Sequence, residues 1–240
     1  EARKMAAAAQ RYGRTLLYGL NRRFGPSELA ALNAIEKGLL GEVYHVRASW
    51  MRTRGIPLGT GWFTQKDKSG GGSLIDIGVH MLDIAWRLLG QPGPRAVFGI
   101  AAQRFKGLVP DNLTFDVDDS AFALIRFEGG KTLELAVSWA FNQPPAQNGT
   151  VCRVHGEKAC VDVYTPDGAV LYSNFTGKTD CRVNPLKPPN LHGYPALARH
   201  LRDCILGKAT PTCGGAQGVV LMEMLDAIYK SSETARSISL

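Results

Sequence analysis

The chain has 240 residues, 45% hydrophobic and 20% charged, which is enough to bury one sizeable core. Those proportions, with 27 Gly and 13 Pro, exclude disorder, a collagen-like repeat or a coiled coil as the dominant architecture, and no apolar run is long enough to cross a bilayer as a helix. The formal charge of +7 suits acidic ligands or plain solubility, and without a Lys/Arg block interleaved with aromatics neither nucleic acid nor membrane is expected as a partner.

Residues 2–12 are rich in Ala, Lys, Arg, Met and Gln, all good helix formers, and Gly13 offers a left-handed stop. No N-cap residue precedes them, so the reading starts inside an element. Residues 15–20 form a short apolar run of the kind buried in parallel sheets. A helix feeding such a strand is the closing half of a βα unit, and the expectation is a fragment whose opening half lies upstream. A second helix is expected over 26–37, with Leu29, Leu32 and Ile35 as its apolar stripe and Gly38 at its end.

From Val43 to Met51 the pattern alternates, Tyr44, Val46, Ala48 and Trp50 on one face and His45, Arg47 and Ser49 on the other. Residues 52–72 read as a long loop and 73–89 as one amphipathic helix. Strands are expected near 96–103, 120–127, 131–140, 150–155, 159–164 and 170–173, followed by helices over roughly 195–206 and 214–235. This succession is an α+β architecture: a mostly antiparallel open sheet with helices on one face. The open face is a natural surface for a homo-oligomer.

Five scattered cysteines without a C-x-x-C pair fit reduced thiols and a cytoplasmic setting. A hairpin turning at Gly156-Glu157 places Arg153, not Cys152, opposite Cys160, which disfavours a disulfide there.

The chemistry concentrates in Gly70-Gly71-Gly72-Ser73-Leu74-Ile75-Asp76-Ile77-Gly78-Val79-His80-Met81-Leu82-Asp83. Three glycines bring the backbone to a helix start with no side chains in the way, which permits close approach by a ligand or another backbone segment. Asp76 and His80 are i and i+4 and share a helix face; Asp83 belongs to that face, while Leu74, Ile77, Met81, Ile84 and Leu88 form the core stripe. A carboxylate beside an imidazole can orient a hydroxyl and exchange its proton. A simple surface Asp–His pair and a metal site of Asp76, His80 and Asp83 are the competing readings, the metal ranking last. Trp62 in the preceding loop, and His192 and Tyr194 at a later helix start, are candidate substrate contacts. Arg47, Arg52 and Arg54 read as a basic edge.

The glycine–Asp–His string resembles the signature of the glucose-fructose oxidoreductase/inositol dehydrogenase/MocA family. Tyr18-Gly19-Leu20-Asn21-Arg22-Arg23-Phe24, Gly41-Glu42-Val43-Tyr44-His45-Val46-Arg47 and Ala227-Ile228-Tyr229-Lys230-Ser231-Ser232 are similar to further family segments. The resemblance implies an NAD- or NADP-dependent oxidoreductase acting on a sugar or polyol, with His80 as acid/base, Asp76 positioning substrate, and Asn21 and Arg22 near the cofactor. It also implies that residues 1–24 are the end of a Rossmann domain and 25–240 a substrate-binding and oligomerisation domain. The family's glycine-rich phosphate loop and Glu-Lys-Pro motif have no counterpart in this sequence. Two other readings stay open: a glycoside-cleaving enzyme that uses the nicotinamide transiently, and a catalytically silent binding module.

Overall fold

The computed structural model describes residues 1–175 and 181–240. Its strands are β1 (Val43–Met51), β2 (Pro94–Ala102), β3 (Ser120–Phe127), β4 (Thr132–Ser138), β5 (Gly149–Gly156), β6 (Ala159–Thr165), β7 (Gly168–Ser173), β8 (Arg182–Pro185) and β9 (Ile238–Ser239). Among the described residues they form one nine-stranded sheet in the order β8-β7-β6-β5-β1-β4-β3-β2-β9. Every pairing is antiparallel except that of β1 with β4. The helices are α1 (Ala2–Arg11), α2 (Pro26–Glu36), the short α3 (Lys66–Ser69), α4 (Val79–Leu88), α5 (Gly193–Ile205) and α6 (Gly215–Thr234).

One sheet face is covered: α2 lies on β6 and β7, α4 on β1, β4 and β5, and α6 on β2. Strand alternation sends Val46, Ala48, Ile125, Leu133, Leu135, Val137 and Val154 into this layer, where each is buried. The expected stripe of Leu74, Ile77, Met81, Ile84 and Leu88 meets them and is buried throughout. The opposite face is open. Phe98 pairs with Leu124 and Ile100 with Phe122 across β2 and β3, and all four are exposed there.

Four local expectations need correction. Residues 15–20 are extended but not a strand, because they find no neighbouring strand to bond; only Tyr18, donating to the Cys213 carbonyl at 2.9 Å, ties them to the later chain. In α2 the fully buried apolar positions are Ala30, Ala31 and Ala34, since small residues let the helix sit close on the sheet, while Leu32 and Ile35 of the expected stripe pack against the core only partly buried. The β5–β6 hairpin pairs His155, not Arg153, with Cys160, because Lys158 bonds back to the Leu40 carbonyl and lengthens the loop. Strands β8 and β9 are too short to register as apolar periodicity.

The glycine run is used for a backbone contact. A Cβ at Gly72 would lie 1.8 Å from the Asp118 carbonyl oxygen, and one at Gly71 would meet the Tyr229 hydroxyl. The Asp118 carboxylate accepts hydrogen bonds from Gly72 N, Ser73 Oγ, Leu74 N and Tyr229 Oη at 2.8–2.9 Å. A buried acid thus satisfies the free amides at the start of the helical segment and locks it to the sheet.

Candidate active site

The segment carrying Asp76 and His80 is not one uniform α-helix. Leu74–Gly78 is a π-helical turn that passes into α4 at Val79. Such widened turns recur at functional sites, because they re-aim side chains without ending the helix. Gly78 closes the turn tightly, since a Cβ there would lie 3.0 Å from Leu74 Cδ1 and 3.2 Å from Val137 Cγ2 of β4. The glycine inside the helix answers a packing need.

Asp76 and His80 are both half-buried on this turn and do not hydrogen-bond each other. Trp139, just past β4, donates its indole N–H to Asp76 Oδ2 at 2.8 Å, leaving Oδ1 without a protein partner. His80 Nδ1 is buried and unbonded. Burial, reinforced by the Arg22 guanidinium, holds the His80 imidazole below its ordinary range, while Asp76 and Asp83 pull the other way. The imidazole is therefore neutral near pH 7 and ready to take a proton.

Asp83 does not join this pair. It is fully buried, and its two oxygens accept Arg23 Nε at 3.0 and 2.9 Å. Burial pushes both partners toward their neutral forms, and the hydrogen bonds between them oppose it on both sides. A carboxylate accepting a guanidinium fork is ionised, so the pair is a buried ion pair. Asp83 is thus not free to act as a third ligand beside Asp76 and His80. Among the described residues no three His, Cys, Asp or Glu side chains converge as metal ligands.

Asn21 and Arg22 lie on a single helical turn before α2, and Arg22 is the one whose charge reaches His80. Arg22 Cζ lies 4.5 Å from the centre of the Trp50 ring and 5.2 Å from that of Tyr164, and its Nη1 is 3.6 Å from Glu28 Oε1. Trp50, on β1, faces His80 with ring centres 6.5 Å apart. Tyr164 donates to Glu28 Oε1 at 2.7 Å, and its hydroxyl is pushed up by burial and then by Glu28. Asn21 Nδ2 donates to the Tyr194 hydroxyl at 3.0 Å, and Asn21, Arg22, Tyr164 and Tyr194 line one cavity of about 350 Å³.

Arg22 thus stands beside His80 and Trp50 and also lines the cavity of Asn21 and Tyr194, which Asp76 and His80 do not line. His192 precedes α5 as an exposed residue with no cap hydrogen bond, and Trp62 is exposed and stacked on Phe63 with ring centres 4.1 Å apart; neither contacts the pair. Sequence reasoning missed Trp50, Trp139 and Tyr164. Only the alternation in β1, which places Trp50 on the core face, carried a signal for any of them.

The comparisons with known proteins give the family. The model of the GFO/IDH/MocA C-terminal domain matches residues 29–162, and the chain belongs to this oxidoreductase family. It is similar to D-glucoside 3-dehydrogenase of Escherichia coli (strain K12), 31% identical over 252 residues, covering 100% of this chain and 69% of the relative. Among solved structures it is similar to aldose-aldose oxidoreductase from Caulobacter crescentus complexed with glycerol, at 26% identity and a TM-score of 0.81, covering 100% of this chain and 68% of that one. GenD2 from gentamicin A biosynthesis, in complex with NAD, matches at 27% identity and a TM-score of 0.76 over 100% of this chain and 67% of that one.

Proposed function

We propose that the chain carries the substrate site of an NAD- or NADP-dependent oxidoreductase that moves a hydride between the nicotinamide and a hydroxyl-bearing carbon of a sugar or polyol. The observation that carries this reading is the pair across the junction of the π-turn and α4: among the described residues His80 has a buried Nδ1 without a partner, and Asp76 has one oxygen fixed by Trp139 and the other without a partner. The relatives' names, a glucoside dehydrogenase and an aldose-aldose oxidoreductase, support the substrate class.

In this reading the free oxygen of Asp76 accepts a substrate hydroxyl and fixes the sugar's orientation. His80, held neutral by burial and Arg22, takes the proton of the hydroxyl on the reacting carbon and returns it in the reverse direction. Trp50 and Tyr164 supply apolar ring surface beside it. The residues fit one end of a dinucleotide: Arg22, which lines a cavity with Asn21 and Tyr194, stacks on the Trp50 ring that faces His80, and the buried His80 Nδ1 has no partner among the described residues. When bound, the nicotinamide supplies or accepts the hydride.

Residues 1–24 are assigned to the end of the dinucleotide-binding domain and 25–240 to the substrate domain. The support is the extended segment at 15–20, whose amides at Thr15, Leu16, Leu17 and Gly19 have no backbone partner, as in a strand awaiting a sheet. The open face is assigned to a second copy. Its apolar centre of Phe98, Ile100, Phe122 and Leu124 is flanked by charges of both signs, Arg47 with Glu134 and Arg153 with Asp162, which suits self-pairing. Five free cysteines support a cytoplasmic setting.

The test is reduction of NAD or NADP by the complete protein with a panel of glycosides, aldoses and polyols. Net formation of reduced nicotinamide with a sugar substrate is expected. Glycoside cleavage without net reduction supports the transient-redox enzyme instead, and no reaction with any panel member contradicts the assignment. Phe98→Asp with Leu124→Asp should convert the oligomer to monomer by light scattering.

A further inference from the structure

Arg52 follows β1, and its backbone is held on both sides: its amide donates to the Ser138 carbonyl at 2.9 Å, and Phe141 N donates to its own carbonyl at 2.8 Å. Being two residues beyond Trp50 on an extended backbone, it projects to the same side of the sheet, toward the site. Its guanidinium carbon lies 4.7 Å from the centre of the Trp50 ring, the ring that also carries Arg22 and faces His80. Gly55 makes room for this arrangement, since a Cβ there would come within 2.8 Å of Arg52 Cδ.

The charges around the site are otherwise accounted for. Arg22 has Glu28, Arg23 has Asp83, and Asp76 accepts from Trp139. Arg52 is half-buried, yet among the described residues it has no carboxylate within 4.0 Å and no side-chain hydrogen bond. A half-buried guanidinium with five donors, stacked in a fixed orientation and lacking a counter-charge, is organised for a ligand.

We propose that Arg52 is a specificity-determining residue that binds a carboxylate on the substrate, so that the preferred substrates are sugar acids such as uronates. The planar fork matches a carboxylate with two parallel hydrogen bonds. One unpaired guanidinium balances a monoanion, whereas a phosphate dianion would leave excess negative charge. This proposal rests on the sugar-oxidoreductase reading of the site, but it concerns only which sugars are taken.

The test is equilibrium titration of the complete protein with D-glucose, D-glucuronate and D-glucose 6-phosphate, together with kcat/KM for each, in wild type, Arg52→Gln and Arg52→Lys. Glucuronate is expected to bind about tenfold or more tightly than glucose, the scale of one charge-assisted bidentate contact. Arg52→Gln should abolish that preference, and Arg52→Lys should restore part of it by charge without the fork. Thermal melting reports whether each variant is folded, and the wild-type ratio stands whether or not they are. Equal affinity for glucose and glucuronate in wild type overturns the carboxylate site and leaves the oxidoreductase reading intact. So does a glucuronate preference that survives in Arg52→Gln, or a stronger preference for the phosphate. Oxidation of non-sugar alcohols with no sugar bound overturns both.

Discussion

Asp76 and Asp83 stand on the same helical segment about two turns apart, and each has a basic side chain as its neighbour. Asp83 faces the interior, where Arg23 covers both its oxygens and no solvent reaches either group. Asp76 faces the mouth of the site, where Trp139 satisfies one oxygen and His80 is adjacent but unbonded. The first pair is complete in the folded chain. In the second, Asp76 Oδ1 and His80 Nδ1 have no partner among the described residues. Chemical type does not separate the two carboxylates; the number of protein partners each has does, and those partners come from distant parts of the chain.

Removing His80 should break the open pair with the largest effect. In the complete protein, His80→Ala is expected to lower kcat about 10²- to 10⁴-fold, the range of a general acid/base, with the melting temperature nearly unchanged. Steady-state kinetics and a thermal scan read the two together.

Asp83→Ala should do the reverse. It strands the Arg23 charge in the core and is expected to cost about 3–5 kcal/mol in a denaturant titration. If Asp83→Ala reduces activity without loss of stability, the division between a structural and a reactive acid on this helix is wrong.

A smaller change sharpens the comparison. Trp139→Phe keeps the ring but removes the N–H that fixes Asp76, and kcat/KM should fall about tenfold, the usual scale for a hydrogen bond to a charged group. His80 also leaves a trace in stability. Its folded pKa lies below its unfolded value of 6.5, so its contribution is fully present above that value and is lost as pH falls through the folded pKa. Between the two values the folded protein binds fewer protons than the unfolded chain. Wild type should therefore lose more stability than His80→Gln on going from pH 7 to pH 5.

What the sequence made legible follows the range of the interactions concerned. The buried stripe from Leu74 to Leu88 is periodic within a few residues and stands as read; in β1 the alternation holds from Val46 onward, but Tyr44, read with Val46 and Ala48, is exposed because the register shifts between Val43 and His45. Asp76 and His80 could be singled out because their spacing is local. The cap on their helix was not: Asp118 lies far downstream, and nothing in an isolated acidic cluster says which acid will reach Gly72. Asp83 was placed with the reactive pair because α-helical spacing puts it there, whereas the π-turn and the Arg23 side chain decide its true environment. Arg52 read as part of a basic edge because its stacking on Trp50 depends on the loop turning back at Gly55.

The central claim is that His80 exchanges the substrate proton and that its environment keeps it neutral. The pH dependence of kcat/KM for sugar oxidation, measured in wild type, His80→Gln and Arg22→Gln, tests it most directly. Wild type should show an acidic limb below pH 6.5, His80→Gln should lose that limb along with most of the activity, and Arg22→Gln should move it upward as a nearby positive charge is withdrawn. An unchanged limb in His80→Gln, with turnover close to wild type, would show that another group carries the proton.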